Sequence, residues 1–243
     1  DPKSIINECA KLVSEGYKEV TLLGQNVDSY LWYGGGPKKD YNKASENQKN
    51  TSVSFANLLE KVAKINKKLR VRFSTSNPQD MTDDVINIMA KHKNICNYIH
   101  LPVQSGSSRI LKLMNRGYDR EEYIILIDKI KKKIPDCSIS MDIITGFCSE
   151  TDSDHNETLS LMKYVKYDYG YMFKYSERPN TAAEKKYKDD ISEEKKQIRL
   201  VEIINLQQKQ SLENNKNRIN KTYEVLIEGV SKKSDLHYYG RTT

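Results

Sequence analysis

The sequence predicts an α/β protein built as an incomplete parallel β/α barrel of partial TIM type, followed by the start of a small β domain. Three observations carry that prediction. Short runs rich in Val, Ile, Phe and Tyr alternate with longer segments of helical period. Polar residues recur where those runs stop, which is the end at which parallel barrels meet ligands. The last residues, from Lys221, change to a strand-rich pattern.

Taken in order, Pro2 to Glu15 reads as a helix with Ile5, Ile6, Cys9, Leu12 and Val13 on one face and Gly16 at its end. Strand Glu19 to Leu23 follows. Between Leu31 and Ser52 lies a polar insertion containing Gly34-Gly35-Gly36, which reads as a lid or a disordered loop, with disorder favoured when unliganded. Phe55 to Asn66 is the next amphipathic helix, then strand Arg70 to Ser74. A helix starts at Thr82-Asp83-Asp84, where Thr supplies a cap and the acids complement the dipole.

Strand Tyr98 to Leu101 precedes two helices, Ser107 to Asn115 and Arg120 to Lys132, separated at Gly117. Strand Ser138 to Ile144, helix Asp154 to Val165 and strand Tyr169 to Tyr175 complete the alternation. Ser192-Glu193-Glu194-Lys195 then opens a long charged helix to about Asn214, with a start like a capping box. The domain expectation is therefore 1–218 for the barrel and 219–243 for the beginning of the β domain.

Lys plus Arg outnumber Asp plus Glu by 40 to 33, a formal charge of +7. Lys129 to Lys133, Lys185-Lys186-Tyr187-Lys188 and Lys195, Lys196 and Arg199 concentrate the excess, which suits either a polyanionic partner or solvated helix faces. No run approaches the roughly 18 apolar residues of a membrane span. The four cysteines, Cys9, Cys96, Cys137 and Cys148, are scattered without a Cys-x-x-Cys pair and read as free thiols of a reducing compartment. A cytoplasmic, monomeric protein is the expectation. The chain begins Asp1-Pro2 and stops about twenty residues into the last strand-like pattern, so it reads as a piece of a longer protein.

The strand ends name the candidate site. They are Gly24-Gln25-Asn26; Ser74-Thr75-Ser76-Asn77-Pro78; Gln104-Ser105-Gly106-Ser107; Thr145-Gly146; and Ser176-Glu177-Arg178-Pro179. Each alone is ordinary turn chemistry, but together they suit a polar ligand with amino, ribose or adenine groups. Asp142 interrupts an apolar strand, and a carboxylate there must be paired or ligand-bound. His100 also interrupts a strand and fits a hydrogen-bonded core residue better than a ligand. The amides of Gly106-Ser107-Ser108 could hold an anion at a helix start or simply cap it. Arg116 could reach an anionic group or cap the preceding helix.

These residues resemble the methylthiotransferases among the radical S-adenosylmethionine (SAM) enzymes, and most closely the tRNA-modifying MiaB type. Gly16-Tyr17-Lys18-Glu19-Val20-Thr21-Leu22-Leu23-Gly24-Gln25-Asn26-Val27 carries the more specific likeness. His100 to Ser107, Met114-Asn115-Arg116 and Asp142 to Thr151 match motifs shared across the family, and the tail from Glu228-Gly229 looks like the opening of its RNA-binding TRAM domain. The resemblance implies a radical SAM transferase that adds a methylthio group to carbon 2 of N6-isopentenyladenosine beside the tRNA anticodon. SAM and two 4Fe-4S clusters are the implied cofactors. Isopentenyladenosine-bearing tRNA, an electron donor and a sulfur source are the implied partners.

The family's Cys-x-x-x-Cys-x-x-Cys loop and its N-terminal cluster cysteines do not occur in this sequence, so these 243 residues alone are expected to be inactive. Catalytic residues are not assigned. SAM contact is carried over to Gly24, Gln25, Asn26, Ser76, Gln104, Ser105, Arg116, Asp142 and Gly146. Two loops depart from the family pattern: Gly-Phe-Pro-Gly-Glu reads Gly146-Phe147-Cys148-Ser149-Glu150, and Arg-Pro-Gly-Thr reads Arg178-Pro179-Asn180-Thr181. Two other readings remain open: a non-catalytic RNA-binding module on a decayed barrel, and the family member that acts on a ribosomal protein.

Overall fold

In the computed structural model, which describes residues 1–74 and 76–243, helices and mostly parallel strands alternate along the chain. Thr75 lies outside the described residues. The elements are α1 (Pro2–Ser14), β1 (Glu19–Leu22), β2 (Leu31–Trp32), α2 (Glu46–Asn50), β3 (Val53–Ser54), α3 (Phe55–Ala63), β4 (Arg70–Phe73), α4 (Asp83–Lys91) and β5 (Tyr98–His100). They continue with α5 (Ser108–Leu113), α6 (Arg120–Lys133), β6 (Ser138–Thr145), α7 (Asp152–Val165), β7 (Tyr169–Lys174), α8 (Ala182–Lys186), α9 (Glu193–Lys216), β8 (Leu226–Val230) and β9 (Tyr238–Arg241).

Two compact units contain these elements. One comprises Asp1–Ser76, Asp80–Tyr98 and Asn220–Thr243; the other comprises Asn77–Gln79 and Ile99–Ile219.

In the first unit, β1 and β4 pair in parallel with Val20 opposite Val71 and Leu22 opposite Phe73. Helix α3 places Phe55, Leu58, Leu59 and Val62 at helical spacing on its buried face, and Phe55 meets Phe73 edge-on at 5.3 Å between ring centroids. Ser54 and Asn57 close a capping box at its start. Residues of the tail fasten to the beginnings of the two strands. Arg70 donates to the Arg241 carbonyl at 2.7 Å, and Arg241 and Arg72 both face the Glu19 carboxylate, at 3.1 and 3.0 Å.

The insertion from Leu31 to Ser52 is ordered, contrary to the disorder expected from its composition. Leu31 and Trp32 pair antiparallel with Ser54 and Val53. Tyr33 donates to the Pro37 carbonyl at 2.9 Å and stacks edge-on with Tyr41, and Ser45 with Gln48 caps α2. Local aromatic and capping contacts thus replace the apolar burial that the sequence lacks.

In the second unit the strand order is β5, β6, β7, with β6 and β7 parallel from Ser140 opposite Tyr169 to Thr145 opposite Lys174. Helix α6 buries Tyr123, Leu126, Ile127 and Ile130, again an i, i+3, i+4, i+7 stripe. The Tyr123 hydroxyl reaches the Leu101 carbonyl at 3.0 Å and accepts from Tyr167, which satisfies both buried phenols.

Helix α9 docks differently. Lys196 and Arg199 are 1 % and 2 % exposed, so these charges are neither a solvated face nor free for a polyanion. Gln207 donates to the Tyr167 carbonyl at 2.9 Å and Gln210 to the Met162 carbonyl at 2.7 Å. No helix among the described residues is long and apolar enough to cross a membrane.

Candidate functional site

The strand ends of the second unit are shaped by backbone geometry that few residues tolerate. After β5 the chain turns at Gln104, whose φ of 69° lies in the left-handed region. In that conformation its amide donates to the Asp142 carbonyl at 2.8 Å and its carbonyl accepts from Ile144 at 2.9 Å. Gln104 therefore sits beside Asp142 on the adjacent strand, and the structure brings these two candidate residues together.

Asp142 has one carboxylate oxygen, Oδ1, buried without a hydrogen-bond partner; His100 Nε2 is 3.5 Å away. His100 Nδ1 shares a 2.8 Å hydrogen bond with the Ser140 hydroxyl, so the imidazole is held by its strand neighbour as a bonded core residue would be. At the end of β6, Thr145 Oγ1 is likewise buried and unpartnered. Two orphaned acceptor-capable atoms on one strand cost free energy unless a ligand or water meets them.

The loop after Gln104 is committed internally. Ser105 is 1 % exposed, its hydroxyl 3.4 Å from that of Thr158, and it accepts the Ser107 amide at 3.2 Å. The Gly106 amide donates to Thr158 Oγ1 at 2.9 Å. The Gly106 and Ser107 amides are thus taken up by Thr158 and Ser105. Asp154 anchors the loop, accepting from Ser107 at 2.7 Å, Thr151 at 2.6 Å and Arg109. Burial alone would raise the Asp154 carboxyl, but Arg109, Thr151 and Ser107 hold it well below the usual carboxylate range.

Gly146 takes φ of 73°, donates its amide to Glu150 Oε1 at 3.0 Å, and leaves no room for a side chain: a Cβ would stand 2.4 Å from Lys196 Cγ. Its conformation and its packing under α9 thus account for glycine at this position. Ser149 and Asn180, which stand where the pattern has Gly, both take left-handed φ values, 61° and 67°. Asn tolerates that region. Ser149 is held there by Arg109 on its carbonyl at 2.6 Å and by its own amide donating to Asp190 at 2.7 Å.

Arg116 ends a Schellman motif. Asn115 is left-handed at φ 56°, its amide donates to the Lys112 carbonyl at 3.1 Å, and the Arg116 amide donates to the Leu111 carbonyl at 2.9 Å. The Arg116 side chain is exposed and lines a cavity with Ile144, Phe173 and Arg178.

In the first unit, Gly24 and Gln25 follow β1 exposed, and Asn26 is half-buried. Asn26 donates to Asp80 at 2.6 Å while its Oδ1 remains buried and unpartnered. Ser76 is 4 % exposed and its hydroxyl has no partner either. The sequence missed Asp154, Glu150 and Arg199, which position the loops. Only the Thr-x-x-Asp capping pattern at Thr151 signalled one of them.

The residues fit an iron–sulfur cluster poorly. All four cysteines are buried, and burial raises each thiol, that of Cys137 to about 12. No group of three His, Cys, Asp or Glu side chains gathers to hold a metal among the described residues. No step is therefore routed through a cluster held by these residues.

Helices alternating with parallel strands define an α/β protein of the β/α type. The Radical SAM superfamily profile matches residues 1–162, and the chain belongs to that superfamily. It is 65 % identical over 241 residues to the tRNA-2-methylthio-N(6)-dimethylallyladenosine synthase of Christiangramia forsetii, covering 99 % of this chain and 50 % of that protein. Against the protein of the same name from Flavobacterium psychrophilum it is 59 % identical over 243 residues, covering 100 % and 50 %. The chain spans about half the length of these curated relatives.

Among solved structures, coproporphyrinogen III oxidase (HemN) from Escherichia coli shares the fold with a TM-score of 0.54 at 18 % identity, over 86 % of this chain and 46 % of that one. Methylornithine synthase (PylB) gives 0.50 at 15 %, over 84 % and 52 %. The incomplete parallel β/α fold expected from the sequence is thus the fold of radical SAM enzymes.

Proposed function

We propose that this chain forms the SAM-handling part of a cytoplasmic tRNA methylthiotransferase that converts N6-isopentenyladenosine beside the anticodon to its 2-methylthio derivative. The observation that carries the reading is 65 % identity across 99 % of the chain to an enzyme named for that reaction. Residues 219–243 would begin an RNA-binding β domain after a barrel domain at 1–218.

The unpartnered carboxylate oxygen of Asp142 supports this reading. In the second unit Asp142 Oδ1 lacks a donor, which an amino group or a ribose hydroxyl would supply. Gln104 and Arg116 are the accompanying contacts proposed there, while Ser105 and Gly146, buried and bonded within their loops, shape the strand ends rather than touch the ligand; in the first unit the proposed contacts are Gly24, Gln25, Asn26 and Ser76. When bound and given an electron by the proposed cluster, SAM would supply the radical chemistry. The chain's own part is to hold and orient: Gln104 fixes the β5 end against Asp142, and Glu150 with Arg199 fixes the turn at Gly146.

Two 4Fe-4S clusters, an electron donor and a sulfur source belong to the proposed reaction, and residues 1–243 alone are expected to turn nothing over. The test is turnover by the full-length protein, reconstituted with iron and sulfide, on tRNA bearing isopentenyladenosine with SAM and dithionite. A mass gain of one methylthio group in place of hydrogen is expected. Conversion of a ribosomal protein instead would replace the reading.

A further inference from the structure

The second unit contains a cavity of about 840 Å³ between the end of α5, the ends of β6 and β7, and α8. Its charge is one-sided. Lys112, Arg116, Lys174, Arg178 and Lys186 all line it, and no carboxylate does. Lys174 is paired with Glu193 at 3.1 Å, whereas Lys112, Arg178 and Lys186 have no ionic or hydrogen-bonded side-chain partner among the described residues. Holding like charges around one concavity raises their mutual repulsion, a cost that a bound polyanion removes.

The cavity floor is aromatic as well as basic. Phe147 and Tyr175 meet edge-on at 4.8 Å, Tyr187 joins them at 6.1 Å from Phe147, and Phe173 presents a ring that is 53 % exposed. Phe147 and Tyr175 are themselves buried, which leaves Phe173 as the exposed ring beside the cations, and such a ring is what an unstacked nucleotide needs: a face for the base and charges for its flanking phosphates. A free phosphate would use the charges but leave the rings idle, and an apolar ligand would do the reverse.

From this juxtaposition we infer that the cavity binds single-stranded RNA, with Phe173 stacking one base and Lys112, Arg178 and Lys186 neutralising the phosphates beside it. The inference rests on the reading of the chain as part of a tRNA-modifying enzyme and specifies where the anticodon loop is gripped. Sequence alone hid it, because the three cations come from three separate segments of the chain.

The test is fluorescence anisotropy of full-length protein with a labelled anticodon stem–loop across a salt series. Replacing Lys112, Arg178 and Lys186 together with Gln should weaken binding at least about tenfold near 0.1 M salt. It should also reduce the slope of log affinity against log salt by about 2, at roughly 0.7 per phosphate contact on a single strand. Phe173→Ala should weaken binding roughly tenfold without changing the slope. Lys132→Gln with Lys133→Gln, on exposed α6 positions, should change neither by more than about twofold.

The thermal midpoint of the triple variant should match the parent, which shows that the fold is intact; should it fall, the three single variants carry the test, each with a slope change of about 0.7. A parent protein that binds the stem–loop while the cavity variants match it overturns the cavity's role alone. Equal losses in the α6 control overturn it too. A parent that binds no RNA overturns the tRNA reading together with this inference.

Discussion

Arg199 Nη1 lies 2.8 Å from Glu150 Oε1, and both side chains are 3 % exposed. The same carboxylate oxygen accepts the Gly146 amide at 3.0 Å, and the same guanidinium reaches Asp152 at 2.7 Å. One buried ion pair therefore links α9, the start of α7 and the turn after β6. Its removal from one side leaves a desolvated charge, which costs about 3–5 kcal/mol. Arg199→Met is expected to lower stability by that amount in urea titrations followed by circular dichroism. Pairing it with Glu150→Gln should recover part of the loss, because the orphaned charge is then gone.

Asp154 gives the pH dependence a sign. Its folded carboxyl is held below the ordinary 3.8 by Arg109, Thr151 and Ser107 against the opposing effect of burial. A depressed folded value stabilises the native state above the unfolded value, and that stability is lost as pH falls through the folded one. Asp154→Asn should therefore cost about 2 kcal/mol near pH 7. The gap between parent and variant should shrink steadily below about pH 4. A gap that widens in acid would contradict the assignment.

Ser149 is the clearest site for a gain. Its left-handed φ of 61° strains a residue with a Cβ, whereas glycine adopts it freely. Ser149→Gly should raise stability by about 0.5–1 kcal/mol, read as a higher thermal midpoint, even though the 3.2 Å contact from Arg109 to its hydroxyl is lost. Asn180→Gly should change the midpoint less, since Asn already tolerates this region.

Gly106 should tolerate no side chain. A Cβ there would stand 2.5 Å from Thr158 Cα and 2.8 Å from the Glu157 carbonyl, both backbone atoms of α7. Gly106→Ala must push the loop off the helix and is expected to cost about 1–3 kcal/mol. Amide exchange at Gly106 and Ser107, whose bonds to Thr158 and Ser105 close the loop, should accelerate.

Periodicity made most elements legible. The apolar spacing of Phe55, Leu58, Leu59 and Val62, and of Tyr123, Leu126, Ile127 and Ile130, marks two helices and their buried faces directly. Polar burial was not legible. Arg199 read as surface charge because its partner Glu150 lies far away in sequence. The Leu31 to Ser52 insertion misled for the opposite reason: a composition poor in apolar residues conceals contacts such as Tyr33 on Pro37. At the candidate site, Asp142 stood out as a charge within a strand, but its pairing with a left-handed Gln104 needed the sheet register.

The central claim is that the residues at the strand ends serve 2-methylthiolation of tRNA through SAM. Its most direct test is mass analysis of tRNA nucleosides from a strain lacking the full-length gene, complemented with the parent or with Asp142→Ala. The account predicts that 2-methylthio-N6-isopentenyladenosine disappears on deletion, returns with the parent and stays absent, with N6-isopentenyladenosine accumulating, when Asp142 is replaced. Unchanged 2-methylthio nucleoside in the deletion strain, or full restoration by Asp142→Ala, would contradict it.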